Sequence, residues 1–465
     1  MSAAPRAAAV FDGDISRVVR QWRAGAPPAF VVWEITLRCD LACRHCGSRA
    51  GPQRTDELST TEALDVVRQL AELGVKEVTL IGGEAYLRDD WVDIAAEVVK
   101  RGMTCSMVTG GRGLDAWRLA EAAAAGVSQI GVSIDGIGLT HDKLRGAPGS
   151  FEAAVDCARR IAGTPGIGLG VNTQINRLSA PELPALADLL IDIGVNAWQV
   201  QLTVPLGRAA DRPELILQPY DLLEVMPILN WIKTRKLKGT TVNLVPGNNV
   251  GYFGPYERDL RIGGEVGHIW KGCMAGQASL GIEADGKIKG CPSLPSGAYT
   301  GGNVREESIE TIWRSKSQVT GLGRRTREDL WGFCHTCVHA DTCLGGCTWT
   351  SHALFGRPGN NPYCHHRALD LHARGKRERL DLVAAAPGLP FDHGRFSLTV
   401  EDDDDQDAEA GKLRLGALLS AILPPDELGR PSGRHSPSTL NKLIAKRKPS
   451  LSTPAISPAG DGAAN

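Results

Sequence analysis

The chain has 465 residues, a formal net charge of −1 from 52 basic and 53 acidic side chains, and a hydrophobic content of 42%. Such a balance offers no basic field to attract nucleic acid or an anionic membrane surface, and no apolar run is long enough to span a bilayer. The twelve cysteines gather in motifs instead of scattering as a disulfide framework, and the apolar run at 7–11 is too short for a secretory signal, so a reducing cytoplasm is expected.

Residues 1–29 read as a short lead, with a helix expected near 15–22 and a loop at Gly25-Ala26-Pro27-Pro28. From 30 to 245 strand and helix signals alternate. A strand run at 31–37 precedes a helix at 60–73, on which Ala63, Leu64, Val67, Leu70 and Ala71 share a face. Ser59 and Glu62 form a capping box at its start, and Gly74 stops it. Strands at 77–81, 104–109, 129–134, 168–175 and 197–202 then alternate with helices at 90–101, 114–125, 150–162, 180–193 and 219–235. Six strand-then-helix units imply an α/β fold with a parallel sheet and right-handed crossovers, a partial (β/α)6 TIM-like barrel with its chemistry at the carboxyl ends of the strands.

Cys39, Cys43 and Cys46 follow the first strand at C-x3-C-x2-C spacing, close enough for one loop to wrap a single inorganic centre. Three thiols leave one coordination position open, whereas a structural site takes four protein ligands. The spacing also suits three small hydrophobes on one helix face, or a zinc site. Arg38, Asp40, Arg44 and His45 interrupt any apolar stripe, however, and Gly47, Ser48, Gly51 and Pro52 are loop residues.

The motif, with His45 before its last cysteine, resembles that of the radical S-adenosylmethionine (SAM) superfamily. The resemblance implies a 4Fe-4S cluster on Cys39, Cys43 and Cys46 that binds the SAM amino and carboxylate groups. One-electron reduction then releases a 5′-deoxyadenosyl radical that abstracts a substrate hydrogen. By the same resemblance Gly82, Gly83 and Glu84 hold the SAM amino group, with Ala85 where the family usually has Pro. Ser133 and Asp135, in a Ser-x-Asp-Gly run, lie on the ribose side, and Arg145 pairs with the SAM carboxylate. Asn172 is a further SAM candidate, with a core amide as the alternative, and Arg208 would face substrate or lie on the surface.

A second constellation runs Cys273-x12-Gly286-x4-Cys291, then Cys334-x2-Cys337-x5-Cys343-x3-Cys347, then Cys364. Seven thiols in about ninety Gly-rich residues point to metal-organised folding, with a zinc ribbon as one option. The pattern resembles the SPASM domain. That resemblance implies two auxiliary 4Fe-4S clusters, one on Cys334, Cys337, Cys343 and Cys364 and the other on Cys273, Cys291 and Cys347. The fourth place of the latter is either open or filled by His268 or Glu265. Cys105 and Cys157 fall outside both motifs and read as packed side chains.

The domain reading is therefore a lead at 1–29, a radical SAM core at 30–245, a bridging segment at 246–272, a SPASM domain at 273–375 and a largely disordered tail at 376–465, with a short helix near 413–422. The bridging segment, with Tyr252, Phe253, Tyr256 and Trp270, would close over substrate or plug a core. The resemblance implies an enzyme that modifies a ribosomally synthesised peptide by crosslinking, epimerisation or oxidation, with a reductase such as flavodoxin or ferredoxin as electron donor. A small-molecule dehydrogenase or a sulfatase-type protein maturase is the enzymatic alternative, and an iron-sulfur electron carrier the non-enzymatic one.

Overall fold

A computed structural model describes residues 26–261 and 270–403. The expected helices near 15–22 and 413–422 lie outside the described residues. Within them, β1 (Phe30–Thr36), β2 (Glu77–Gly82), β3 (Thr104–Thr109), β4 (Gln129–Ser133), β5 (Gly168–Ile175) and β6 (Ala197–Leu202) alternate with α1 (Thr60–Leu73), α2 (Trp91–Lys100), α3 (Ala116–Ala124), α4 (Leu139–Arg145), α5 (Ser150–Ala162) and α6 (Leu183–Ile193). α7 (Leu222–Trp231) and β7 (Asn243–Pro246) complete the core, and all six expected strands are present within a residue or so at each end. The seven-residue α4 was not foreseen, because its apolar positions are too few to show a period. The helix expected at 219–235 is instead α7 followed by a five-residue π turn at Ile232–Lys236.

Period-two alternation explains how this sheet can be apolar on one side and wet on the other. In β1, Val31, Trp33 and Ile35 are buried toward the helices, while Phe30, Val32 and Glu34 face the concave side. The same division puts Val78 and Leu80 outward and Glu77 and Thr79 inward in β2, and Trp198, Val200 and Leu202 outward with Gln199 and Gln201 inward in β6. A parallel sheet covered on both faces would read as continuous hydrophobic runs. These inward polar residues therefore mark a lumen. α1 starts on the expected capping box, with the Ser59 hydroxyl accepting from the Glu62 N–H, and it ends on Gly74 in the left-handed region.

The cysteine-rich segment is welded to this sheet. β8 (Ser279–Ile282) pairs in parallel with β1, from Phe30 opposite Ser279 to Trp33 opposite Ile282. β9 (Lys287–Lys289) and β10 (Thr300–Asn303) continue outward, antiparallel. Among the described residues the strand order is β10-β9-β8-β1-β2-β3-β4-β5-β6-β7. α8 (Ile309–Ser315), α9 (Thr348–Phe355) and α10 (His365–His372) follow.

Residues 376–402 depart from the expected tail. β11 (Lys376–Ala384) and β12 (Arg395–Asp402) form an antiparallel hairpin, with Leu380, Phe391 and Phe396 buried. Composition hid it because its charges are cross-strand partners. Arg377 and Arg379 pair with Glu401 at 2.8 and 2.9 Å, and Gln218 exchanges both side-chain hydrogen bonds with the Leu380 backbone. Arg367, 2% exposed, reaches Glu378 and Asn360. Breaking a buried pair strands a charge, so Glu378→Ala should cost about 3 kcal/mol. A lowered thermal unfolding midpoint, with Glu401→Ala costing far less, would bear this out.

Candidate active site

The cysteine loop leaves β1 and is closed at its neck. The Cys39 N–H donates to the Gly51 carbonyl at 2.9 Å, the Gly51 N–H returns to Leu37 at 3.0 Å, and Glu57 accepts from the Leu37 N–H at 2.8 Å. α4 holds the middle, with the Ala42 and Arg44 N–H groups donating to the Arg145 and Leu144 carbonyls. Cys39, Cys43 and Cys46 thereby line one cavity of about 260 Å³ with His45, Gly82, Gly83, Glu84, Ser133, Asp135, Arg145, Asn172 and Arg208. Every SAM-side residue expected from the sequence is in that lining.

Gly82 and Gly83 have a steric reason. A Cβ on Gly82 would lie 2.3 Å from the Thr36 carbonyl oxygen, and one on Gly83 would lie 2.2 Å from that of Arg38. The turn docks flat against the cysteine loop, its Gly83 and Glu84 N–H groups donating to Thr36 and Arg38 at 2.8 Å. Glu84, 2% exposed, accepts from the Thr109 hydroxyl and the Gly110 N–H, each at 2.6 Å. Burial pushes its carboxyl up to about 7, against the pull of those two donors. One of its oxygens lies within 4.8 Å of the Cys39 sulfur.

Asp135 is fully buried. One oxygen accepts from the Gln174 N–H at 2.7 Å, while the other meets Arg145 Nη2 at 2.6 Å and His45 Nε2 at 3.1 Å. Burial opposes its charge, but Arg145 and His45 hold the carboxyl well below the usual carboxylate range. Protein groups thus lie beside both oxygens while Asp135 lines the cavity. Arg145, 8% exposed, also lies 3.7 Å from the Cys43 sulfur, and its Nε and the His45 Nδ1 are buried without protein partners.

Sequence reasoning passed over His141, whose Nδ1 accepts from the Asp135 N–H at 3.1 Å and which burial lowers to about 4. Only its proximity to Arg145 in sequence signalled it. Arg208 lines the same cavity and ties into the cysteine loop: its N–H donates to the Cys46 carbonyl at 3.0 Å and its Nη2 to the Ala50 carbonyl at 2.9 Å.

Of the seven thiols in the second constellation, Cys334, Cys337, Cys343 and Cys364 line one pocket, while Cys273 and Cys291 lie near Cys347. His268 and Glu265 lie outside the described residues. Tyr252 and Trp270 pack on Cys343, and the Tyr252 hydroxyl accepts from the Cys347 N–H at 3.0 Å, so these two aromatics plug the cysteine-rich core. Cys105 and Cys157 are buried in the barrel wall.

Burial pushes the Cys39 and Cys347 thiols up to about 12 and those of Cys43 and Cys291 to about 11. Clustered thiols that resist ionisation this strongly need a cationic centre to become ligands, and soft sulfur donors suit iron-sulfur clusters. The orphaned Arg145 Nε and His45 Nδ1 suit a polar molecule bound beside Cys43.

A second cavity of about 530 Å³ fills the lumen and shares His45, Gly47, Ile81, Gly82, Val108, Asn172 and Gln174 with the first. Glu34, Glu77, Thr79, Ser106, Gln129, Gln199 and Gln201 make its polar wall. Val204, Leu206, Pro292, Trp349 and Phe391 make its apolar end.

Residues 33–173 match the radical SAM superfamily, and residues 273–338 match the SPASM iron-sulfur cluster-binding domain. An AdoMet-dependent heme synthase of Methanosarcina barkeri is 30% identical over 73% of this chain and 97% of its own length. The mycofactocin maturase MftC of Mycobacterium tuberculosis is 26% identical over 72% of this chain and 82% of its own. The solved structure of anSMEcpe with bound AdoMet and the Cp18Cys peptide shares the fold at a TM-score of 0.59, with 16% identity over 75% of this chain and 97% of that one. With the cysteine loop, the docked Gly-Gly-Glu turn and the sulfur-rich second domain in place, the chain belongs to the radical SAM superfamily, in its SPASM branch, and is an enzyme that binds SAM and iron-sulfur centres.

Proposed function

We propose that the protein is a peptide maturase carrying three 4Fe-4S clusters, which abstracts hydrogen from a ribosomally made peptide to crosslink, epimerise or oxidise it. The chemistry of the lumen carries this reading. Among the described residues its lining has two carboxylates, Glu34 and Glu77, a row of amides and hydroxyls, and neither Lys nor Arg. Heme, the product named for some relatives, is a tetrapyrrole bearing carboxylates, and buried carboxylates require cationic partners. Amide and hydroxyl walls match the alternating donors and acceptors of a peptide backbone.

When bound, the SAM-side cluster and SAM supply the radical that takes the hydrogen atom. Cys39, Cys43 and Cys46 hold that cluster. Glu84 neutralises the SAM amino group, and Arg145 meets its carboxylate through the orphaned Nε edge. Asp135 locks Arg145 and His45 in orientation, Ser133 and Asn172 line the nucleoside side, and the Gly82-Gly83 turn keeps Glu84 at the cluster. Cys273, Cys291 and Cys347 would hold one auxiliary cluster and Cys334, Cys337, Cys343 and Cys364 the other, and an external flavodoxin- or ferredoxin-type protein would supply the reducing electron. Oxygen-labile clusters suit a reducing cytoplasm, and no helix among the described residues is long and apolar enough to cross a membrane.

The test incubates reduced, reconstituted enzyme with SAM and synthetic peptides encoded by short reading frames beside the gene, reading product masses and 5′-deoxyadenosine. Coproporphyrin III, a tetrapyrrole bearing carboxylates as heme does, is the competing probe. Turnover of coproporphyrin with none of any peptide would sink the peptide reading. Replacing Cys39, Cys43 and Cys46 together by Ala should remove about four of about twelve irons per chain and abolish SAM cleavage. Glu84→Gln keeps the side chain's shape and removes its charge, so SAM affinity should fall about thirtyfold, or about 2 kcal/mol, at unchanged iron content. Equilibrium dialysis with labelled SAM reads this directly.

A further inference from the structure

The tip of the C-terminal hairpin, residues 385–394, is far in sequence from the cysteine loop and is bound to it. The Phe391 N–H donates to the Gly47 carbonyl at 3.0 Å, one residue past Cys46, and the Gly207 N–H donates to the Asp392 carbonyl at 2.7 Å. Arg49 bridges Asp392 at 2.8 Å and Asp211 at 2.6 Å, joining tip, cysteine loop and the segment after β6. Phe391 itself sits at φ 56°, in the left-handed region that costs a bulky side chain of order 1 kcal/mol or more. That conformation is maintained by the surrounding clamp, and it turns the ring into the lumen, where it packs with Val204, Leu206 and Trp349. Lys289 Nζ lies 3.9 Å from its ring centre and holds the far face.

Trp349 faces the same space and also packs beside Cys273 and Cys291 in a neighbouring cluster. Its Nε1 is a buried donor with no protein partner. The lumen therefore has a polar barrel wall and an apolar end where Phe391 and Trp349 meet.

We propose that Phe391 and Trp349 are the specificity-determining wall for the residue being modified: they select a peptide residue with a large apolar side chain, packed against these two rings. The assignment rests on the peptide reading above. The hairpin tip thus acts as a selecting surface beside the SAM-side loop, where a large apolar side chain gains contact that a small or charged one does not.

The test uses cluster-loaded enzyme with SAM, without turnover, and saturation-transfer NMR titrations of N-acetyl-tyrosine amide, N-acetyl-leucine amide, N-acetyl-aspartic acid amide and coproporphyrin III. The tyrosine and leucine probes should bind, the aspartate probe should bind about tenfold more weakly or not at all, and Phe391→Ala should weaken the tyrosine probe about fivefold to tenfold. Phe391→Leu should recover part of the loss, and Val383→Ser, on an exposed face of the same hairpin, should change nothing. Equal binding of aspartate and tyrosine probes, or a Phe391→Ala variant that binds as wild type, overturns the assignment and leaves the peptide reading standing. Binding of coproporphyrin III alone overturns the peptide reading, and the assignment with it; binding of no probe overturns the assignment.

Discussion

The pairing of β8 with β1 is the constraint on which the rest depends. β1 carries the cysteine loop at its carboxyl end and is hydrogen-bonded to β2 on one edge and β8 on the other, so one strand is shared by the barrel and the cysteine-rich domain. A buried charge cluster lies along that seam. Arg54 reaches Glu34, Glu283 and Asp285 at 3.5, 3.1 and 3.2 Å, and Lys289, fully buried, meets Glu283 at 2.7 Å. Burial nevertheless pushes Glu34 up to about 8, against the pull of Arg54. Buried ion clusters roughly break even in free energy against apolar packing. The value of this one is geometric: a register slip would turn Glu34 away from the lumen and leave Arg54 with unmatched carboxylates.

With that register set, the two cavities follow. Cys291 lies two residues beyond β9, and Pro292, Ser293 and Trp349 close the lumen on the side facing Cys273, Cys291 and Cys347. The cysteine loop and the Gly-Gly-Glu turn contribute His45, Gly47, Ser48 and Gly82 to the same lumen. Asp135 performs a comparable task locally, since one carboxylate aligns Arg145 and His45 and its own N–H is taken by His141.

Much of this was legible in the chain because the signals are local. The C-x3-C-x2-C spacing, the Cys334 to Cys347 spacing, the capping box at Ser59 and the glycine stop at Gly74 each depend on neighbours within a few residues, and strand alternation separates inward Gln199 and Gln201 from outward Val200. Those patterns determined the α/β class and the alternation of strands and helices along the chain, while the grouping of the seven thiols came from the SPASM resemblance. Tertiary structure alone decided the rest. The hairpin at 376–402 read as a solvated tail because Arg377, Arg379 and Glu401 neutralise one another only across strands, and Phe391 became part of the lumen only through its contact with Gly47, 344 positions earlier. The partners of Asp135, the glycine requirement at Gly82 and Gly83 and the orphaned donors at Arg145 and Trp349 likewise arise from close approaches between distant segments. Periodicity and spacing report which face a residue presents, but burial and pairing depend on what the fold brings against that face.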